Sequence, residues 1–110
     1  LAVSLGTDSA VVPYPPLWAI YHFVTRDTIS AGIVGRSQRI TRAEALRANT
    51  MGGAWLTFEE RAKGSIEVGK LADLVVLSDD IMTCPEKRIE QMKVLMTIVG
   101  GREVFVGSGF

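Results

Sequence analysis

Chemistry in this chain would fall to very few side chains. Asp8 stands in Gly6-Thr7-Asp8-Ser9, a polar stretch that follows an apolar opening. A carboxylate at the end of a buried strand can ligate a metal or serve as a general base. The plainer reading of Asp8 or Ser9 is a side chain that organises the turn by a local hydrogen bond. The chain has one His, His22, and one Cys, Cys84. A zinc site of the usual Cys/His count cannot be assembled from them, nor can an intrachain disulfide. His22 lies in an apolar run, where a neutral imidazole bonded to a backbone carbonyl is the expected state. Cys84, beside Pro85 and with no activating neighbour in sequence, reads as inert. Asp73, just ahead of an apolar run, reads as a cap or hydrogen-bond anchor.

The elements that must position Asp8 follow from periodicity. Leu1, Val3 and Leu5 alternate with Ala2 and Ser4, and Ala2 is itself apolar, as in a strand buried on both faces of a parallel sheet. Functional side chains of α/β folds gather at the C-terminal ends of such strands, where Asp8 would sit. Pro13-Tyr14-Pro15-Pro16 excludes regular helix but suits a first helical turn. Leu17, Ile20, Tyr21 and Val24 then fall at i, i+3, i+4 and i+7, and Trp18, Ala19 and Phe23 widen the stripe, so this helix should be covered on most sides. Residues 27–40 lack periodicity and read as a connecting loop. Thr41-Arg42-Ala43-Glu44 is a capping box opening a helix to about Asn49. Thr50 is placed to cap a second short helix through Leu56. Gly52-Gly53 weakens that helix unless a neighbouring backbone comes close. Packing is the expected reading there, since no phosphate-loop Lys follows. Beyond residue 64, Ile66 and Val68 alternate, Gly69-Lys70 suits a turn and residues 74–77 form a buried strand. Residues 85–91 can make a helical turn with a solvated charged face. Residues 94–99 and 102–106 form a hairpin around Gly100-Gly101.

Composition bounds the rest. The 110 residues allow one small domain or little more. Twelve basic and twelve acidic side chains cancel, so no global field draws nucleic acid or anionic membrane. Hydrophobic residues at 47% argue against disorder, and 22% charge leaves few groups to cover the surface of a small domain. Some faces are therefore expected to lie against something outside these residues, self-association included. No apolar run reaches the length of a membrane helix, no signal peptide is visible, and the expected location is cytoplasmic. The first residue is Leu, which suggests a processed product or a piece of a longer chain.

Taken together, Leu5-Gly6-Thr7-Asp8-Ser9, Thr41-Arg42-Ala43-Glu44-Ala45-Leu46 and Thr50-Met51-Gly52-Gly53-Ala54 resemble the C-terminal part of a metal-dependent amidohydrolase. The strongest match is Gly64-Ser65-Ile66-Glu67-Val68-Gly69-Lys70-Leu71-Ala72-Asp73 followed by Leu74-Val75-Val76-Leu77. It is similar to the segment by which these enzymes return from barrel to small β-sandwich domain. The branch most resembled is amidohydrolase family 3, which includes N-substituted formamide deformylases. The resemblance implies an α/β fold. Residues 1–62 would be the last strand and following helices of a (β/α)8 TIM barrel, and residues 63–110 the C-terminal strands of the β-sandwich. It implies a hydrolase of carbon–nitrogen bonds in amides or related small molecules. Asp8 would be the acidic residue after the last barrel strand, touching a divalent metal (zinc by resemblance) and handling the proton of the hydrolytic water. Thr7 stands where Ser is common. The family's paired His ligands, bridging residue and later His ligands belong to earlier sequence, and His22 matches none of them. The isolated chain is therefore expected neither to hold a metal tightly nor to turn over substrate.

Two other readings use the same residues. One is a stand-alone interaction or scaffold module with Asp8 purely structural. The other is a small hydrolase pairing Ser9 or Ser4 with His22, which requires the imidazole to lie beside one of those hydroxyls.

Overall fold

A computed structural model describes residues 2–9, 11 and 15–108; Leu1, Pro13 and Tyr14, which entered the readings above, lie outside the described residues. Helix α1 (Pro16–Thr25) starts where the prolines stop. Pro15 is its N-cap and Pro16 lies in its first turn, where a missing N–H costs no intrahelical bond. Arg26 ends it in the left-handed region (φ 61°), its N–H donating to the His22 carbonyl. The residues after it do more than connect. Strands β1 (Asp27–Thr28) and β2 (Gly32–Ile33) pair antiparallel, and a 3-10 turn follows at Arg36–Gln38. Strands of two residues are too short for alternation to register, which is why this stretch reads as loop in sequence.

Helix α2 (Arg42–Asn49) carries the expected capping box. The Glu44 N–H donates to the Thr41 hydroxyl (3.2 Å) while the Thr41 N–H donates to the Glu44 carboxylate (2.8 Å). The Thr41 N–H, and then the Thr41 hydroxyl donating to the same carboxylate at 2.7 Å, hold the Glu44 carboxyl below its ordinary range. Helix α3 (Met51–Leu56) follows directly, but Thr50 does not cap it with its side chain. The Thr50 hydroxyl instead donates back to the Leu46 carbonyl at 2.9 Å, an i−4 bond that competes with capping.

Strand β3 (Leu74–Leu77), helix α4 (Glu86–Gln91), strand β4 (Val94–Val99) and strand β5 (Arg102–Val106) complete the described chain. The three strands form one antiparallel sheet in the order β3-β4-β5. Gly100 and Gly101 take φ 57° and 78°, the turn that a two-residue hairpin demands. Asp73 anchors that turn as expected, its carboxylate accepting from the Gly100 N–H at 2.8 Å. Ile66 and Val68 join no strand and are 88% and 108% exposed.

The core sits between α1, α2, α4 and the turn before α4. Ile20, Tyr21 and Val24 of α1 meet Ala45 of α2 and Ile81, Cys84, Ile89 and Met92. Ala45 and Ile89 are fully buried. Two long-range bonds tie the layers: Trp18 Nε1 donates to the Glu90 carbonyl (3.1 Å), and Arg42 Nη1 donates to the Ile81 carbonyl (3.0 Å). The core thus draws on residues before and after position 62.

Candidate functional site

Asp8 is exposed and adopts φ 50°, a left-handed conformation that Asp tolerates better than most side chains. Its carbonyl accepts from the Val11 N–H at 3.0 Å, closing a tight turn after residues 2–7, a stretch in neither helix nor strand. That stretch was expected to hold a strand over residues 1–5 and a loop from Gly6. No such strand forms among the described residues, because a parallel strand exists only through a ladder with neighbours. What holds it is the helical layer: the Leu5 N–H donates to the Ala48 carbonyl of α2 at 3.3 Å. Between Gly6–Thr7 and α1 lies an open cavity of about 340 Å³, its far wall made by Trp18, Ala19, His22 and Phe23. The second face of α1, expected to be covered, thus borders this space and is half-buried.

Around α1's C-terminal end the polar groups are spoken for. His22 Nδ1 pairs with the Asp27 carbonyl, the backbone partner expected of it, while the residue itself is only half-buried. The Tyr21 hydroxyl donates to Asp27 Oδ2 at 2.7 Å. Burial first, and then the Asp27 carboxylate beside it, push the Tyr21 phenol up to about 12. Neither Ser4 nor Ser9 hydrogen-bonds to His22, so the structure does not bring together a Ser–His pair. Cys84 is buried, with Arg42 Nη1 at 3.9 Å from its sulfur. Among the described residues no three His, Cys, Asp or Glu side chains come together as a metal-binding group. Asp8 offers one carboxylate and has no companions, so these residues do not by themselves fit a divalent ion.

A second polar cluster escapes a reading by spacing. The Lys70 ammonium, 10% exposed, donates to the Ser65 hydroxyl at 2.6 Å and lies 3.4 Å from Glu67, while Ser65 bonds Glu67 as well. The Ser65 bond, and then Lys70, hold the Glu67 carboxyl below its usual range. With the ammonium bonded to a hydroxyl and beside a carboxylate, Lys70 acts as a clamp on this turn. Ser65, Glu67 and Lys70 lie within five residues in sequence, but only the turn at Val68–Gly69 brings them to one point.

The order of these elements agrees with known proteins. The amidohydrolase family model matches residues 1–105. The chain belongs to the amidohydrolase family. Among its relatives is an N-substituted formamide deformylase of Arthrobacter pascens, 33% identical over 99 residues that make up 90% of this chain and 18% of that protein. A putative amidohydrolase of Bacillus subtilis, YtcJ, is 26% identical over 106 residues, 94% of this chain and 20% of that one. Protein LONG AFTER FAR-RED 3 of Arabidopsis thaliana is 35% identical over 106 residues, covering 94% and 18%. The crystal structure of an amidohydrolase from Thermotoga maritima MSB8 superposes with a TM-score of 0.72 at 23% identity, over 97% of this chain and 24% of that chain. That likeness shows an amidohydrolase fold. This amidohydrolase chain spans about a fifth of the length of the relatives named here.

Proposed function

We propose that these residues form the C-terminal portion of a metal-dependent hydrolase of carbon–nitrogen bonds in amides or related small molecules. The observation that carries the reading is Asp8: an exposed acidic residue at the end of a segment that α2 holds by a backbone hydrogen bond. In a (β/α)8 barrel such a position is the mouth of a stave, where loops meet substrate. Residues 1–62 then supply the last stave and its helices, and residues 63–110 the closing β-sandwich strands. Asp8 accepts a proton from the attacking water and delivers it to the departing nitrogen, general base and then general acid. Asp8 would touch any divalent ion, zinc in our reading, but the other ligands lie outside these residues, so the isolated chain is inactive. Its location is cytoplasmic. The exposed apolar side chains of the sheet give the isolated chain a route to self-association.

Metal analysis of the purified chain beside a version extended upstream tests this. Metal bound in the long form and not in the short one is the expected result; stoichiometric zinc in the short form defeats the reading. In the long form, Asp8→Asn keeps a side chain suited to φ 50° and removes the proton carrier. Turnover should fall by about 10²- to 10⁴-fold. Because the side chain is exposed, stability should move by less than about 0.5 kcal/mol.

A further inference from the structure

The segment that leads to Asp8 has no sheet to hold it among the described residues, yet it sits at a defined place on the α2–α3 layer. Two contacts fix it. One is the Leu5 N–H to the Ala48 carbonyl, the single backbone hydrogen bond that joins residues 2–7 to the rest of the described chain. The other is steric. A Cβ built on Gly52, in the first turn of α3, would stand 2.1 Å from the Val3 carbonyl oxygen and 3.2 Å from the Ser4 Cα. Real Cβ atoms do not approach backbone so closely, so even one methyl group must push the segment off the helix or the helix off the segment. The neighbouring Gly53 has no such constraint: its Cβ would meet only the far end of Ser4, the hydroxyl oxygen, at 3.9 Å. Two adjacent glycines, equal in their cost to the helix, thus differ completely in what they touch.

We propose that Gly52 is a positioning residue for Asp8: its missing side chain is a notch that seats the Val3–Ser4 backbone and so sets where the Asp8 carboxylate stands. This rests on the reading of Asp8 as the proton carrier, and it adds the element that aims that carboxylate. The lever is short. Three residues, Leu5 to Thr7, join the notch to Asp8, and displacing Val3–Ser4 strains the Leu5–Ala48 bond that holds this stretch to α2. Ala at position 52 favours helix over Gly, so the substitution strengthens α3 while it unseats the segment.

The test is nuclear magnetic resonance on this chain, comparing Gly52→Ala with Gly53→Ala. In Gly52→Ala the Leu5 amide should exchange at least tenfold faster than in the parent. The Asp8 carboxyl carbon resonance should also shift, while the α2 and α3 amides keep their protection. In Gly53→Ala both the Leu5 exchange and the Asp8 resonance should stay where they are. The proposal is overturned if the two variants behave alike, whether both silent or both disturbed, or if Gly52→Ala loses the helical signal. Failure of the functional reading is distinguishable, because there Asp8→Asn leaves turnover intact in the extended protein while the notch responses above still hold.

Discussion

Tyr21 shows how one side chain links burial, charge and pH. The residue is 3% exposed, and its hydroxyl is committed to the Asp27 carboxylate. Ionising it would place a second negative charge beside Asp27 in a buried site, so the folded protein keeps the proton up to about 12, against 10.0 when unperturbed. The native state then binds more protons than the unfolded one across that interval. Stability from this group is fully present below about pH 10 and is lost as pH rises toward 12. Tyr21→Phe should cost about 1.5–3 kcal/mol at neutral pH, the range for a hydrogen bond to a charged group. It should also flatten the alkaline decline. Urea unfolding of both proteins from pH 8 upward reads this out, and an unchanged alkaline slope in the variant counts against the assignment. Tyr21 is legible in sequence as a core position on the helical stripe. Its partner is not, because Asp27 lies in a stretch whose two-residue strands have no period to detect.

At the scale of elements, features made within a few residues were readable and features needing a distant neighbour were not. The capping box at Thr41 and Glu44 closes within four residues, and the Gly100–Gly101 turn within two, so each forms where the residue types put it. Thr50 had two local options, capping α3 or bonding back to Leu46. The helices run on with almost no break, and the second option prevailed. Ile66 and Val68 alternate like a strand, yet sit on a turn whose shape is set by Lys70 gripping Ser65 and Glu67. Helix α4 is only six residues long, below what persists alone in water, so it depends on Ile89 seated against α1. Ile89→Ala should destabilise the chain by about 2–5 kcal/mol. That is a large part of the margin of a domain this size. Thermal unfolding followed by far-ultraviolet circular dichroism measures it. Because the same core holds residues on both sides of position 62, the loss should appear as one cooperative transition at lower temperature. Two separate transitions would contradict a shared core.

The described residues form a helical layer with a real core and a sheet in which no residue is fully buried. Cross-strand neighbours Val75, Thr97 and Phe105 share one face of the sheet, and Val76, Met96 and Val106 the other. Val75, Phe105 and Val106 are each about half exposed, and every residue of the edge strand β5 is exposed. An unprotected apolar edge strand is an invitation to further pairing. Light scattering behind size-exclusion chromatography should therefore show the chain's mass rising with concentration. Phe105→Lys should shift it toward the monomer, since the new charge would have to be desolvated in any contact on that face. A monomer at all concentrations would end the case for self-association.

What the amino-acid order determined alone was local: where helices cap and stop, which hairpin turns on two glycines, which residues form the stripe of α1, and that the motif series is an amidohydrolase's. Hydrogen bonds and dihedral preferences of neighbouring residues decide such things, and their partners are near in sequence. Tertiary structure alone decided that residues 2–7 rest on α2 and α3 without a ladder, that Gly52 and not Gly53 admits the Val3 carbonyl, and that His22 and Tyr21 both bind Asp27. The reason is physical. Close approach and burial depend on which surfaces meet in space, and the spacing of residues along a chain does not encode that distance.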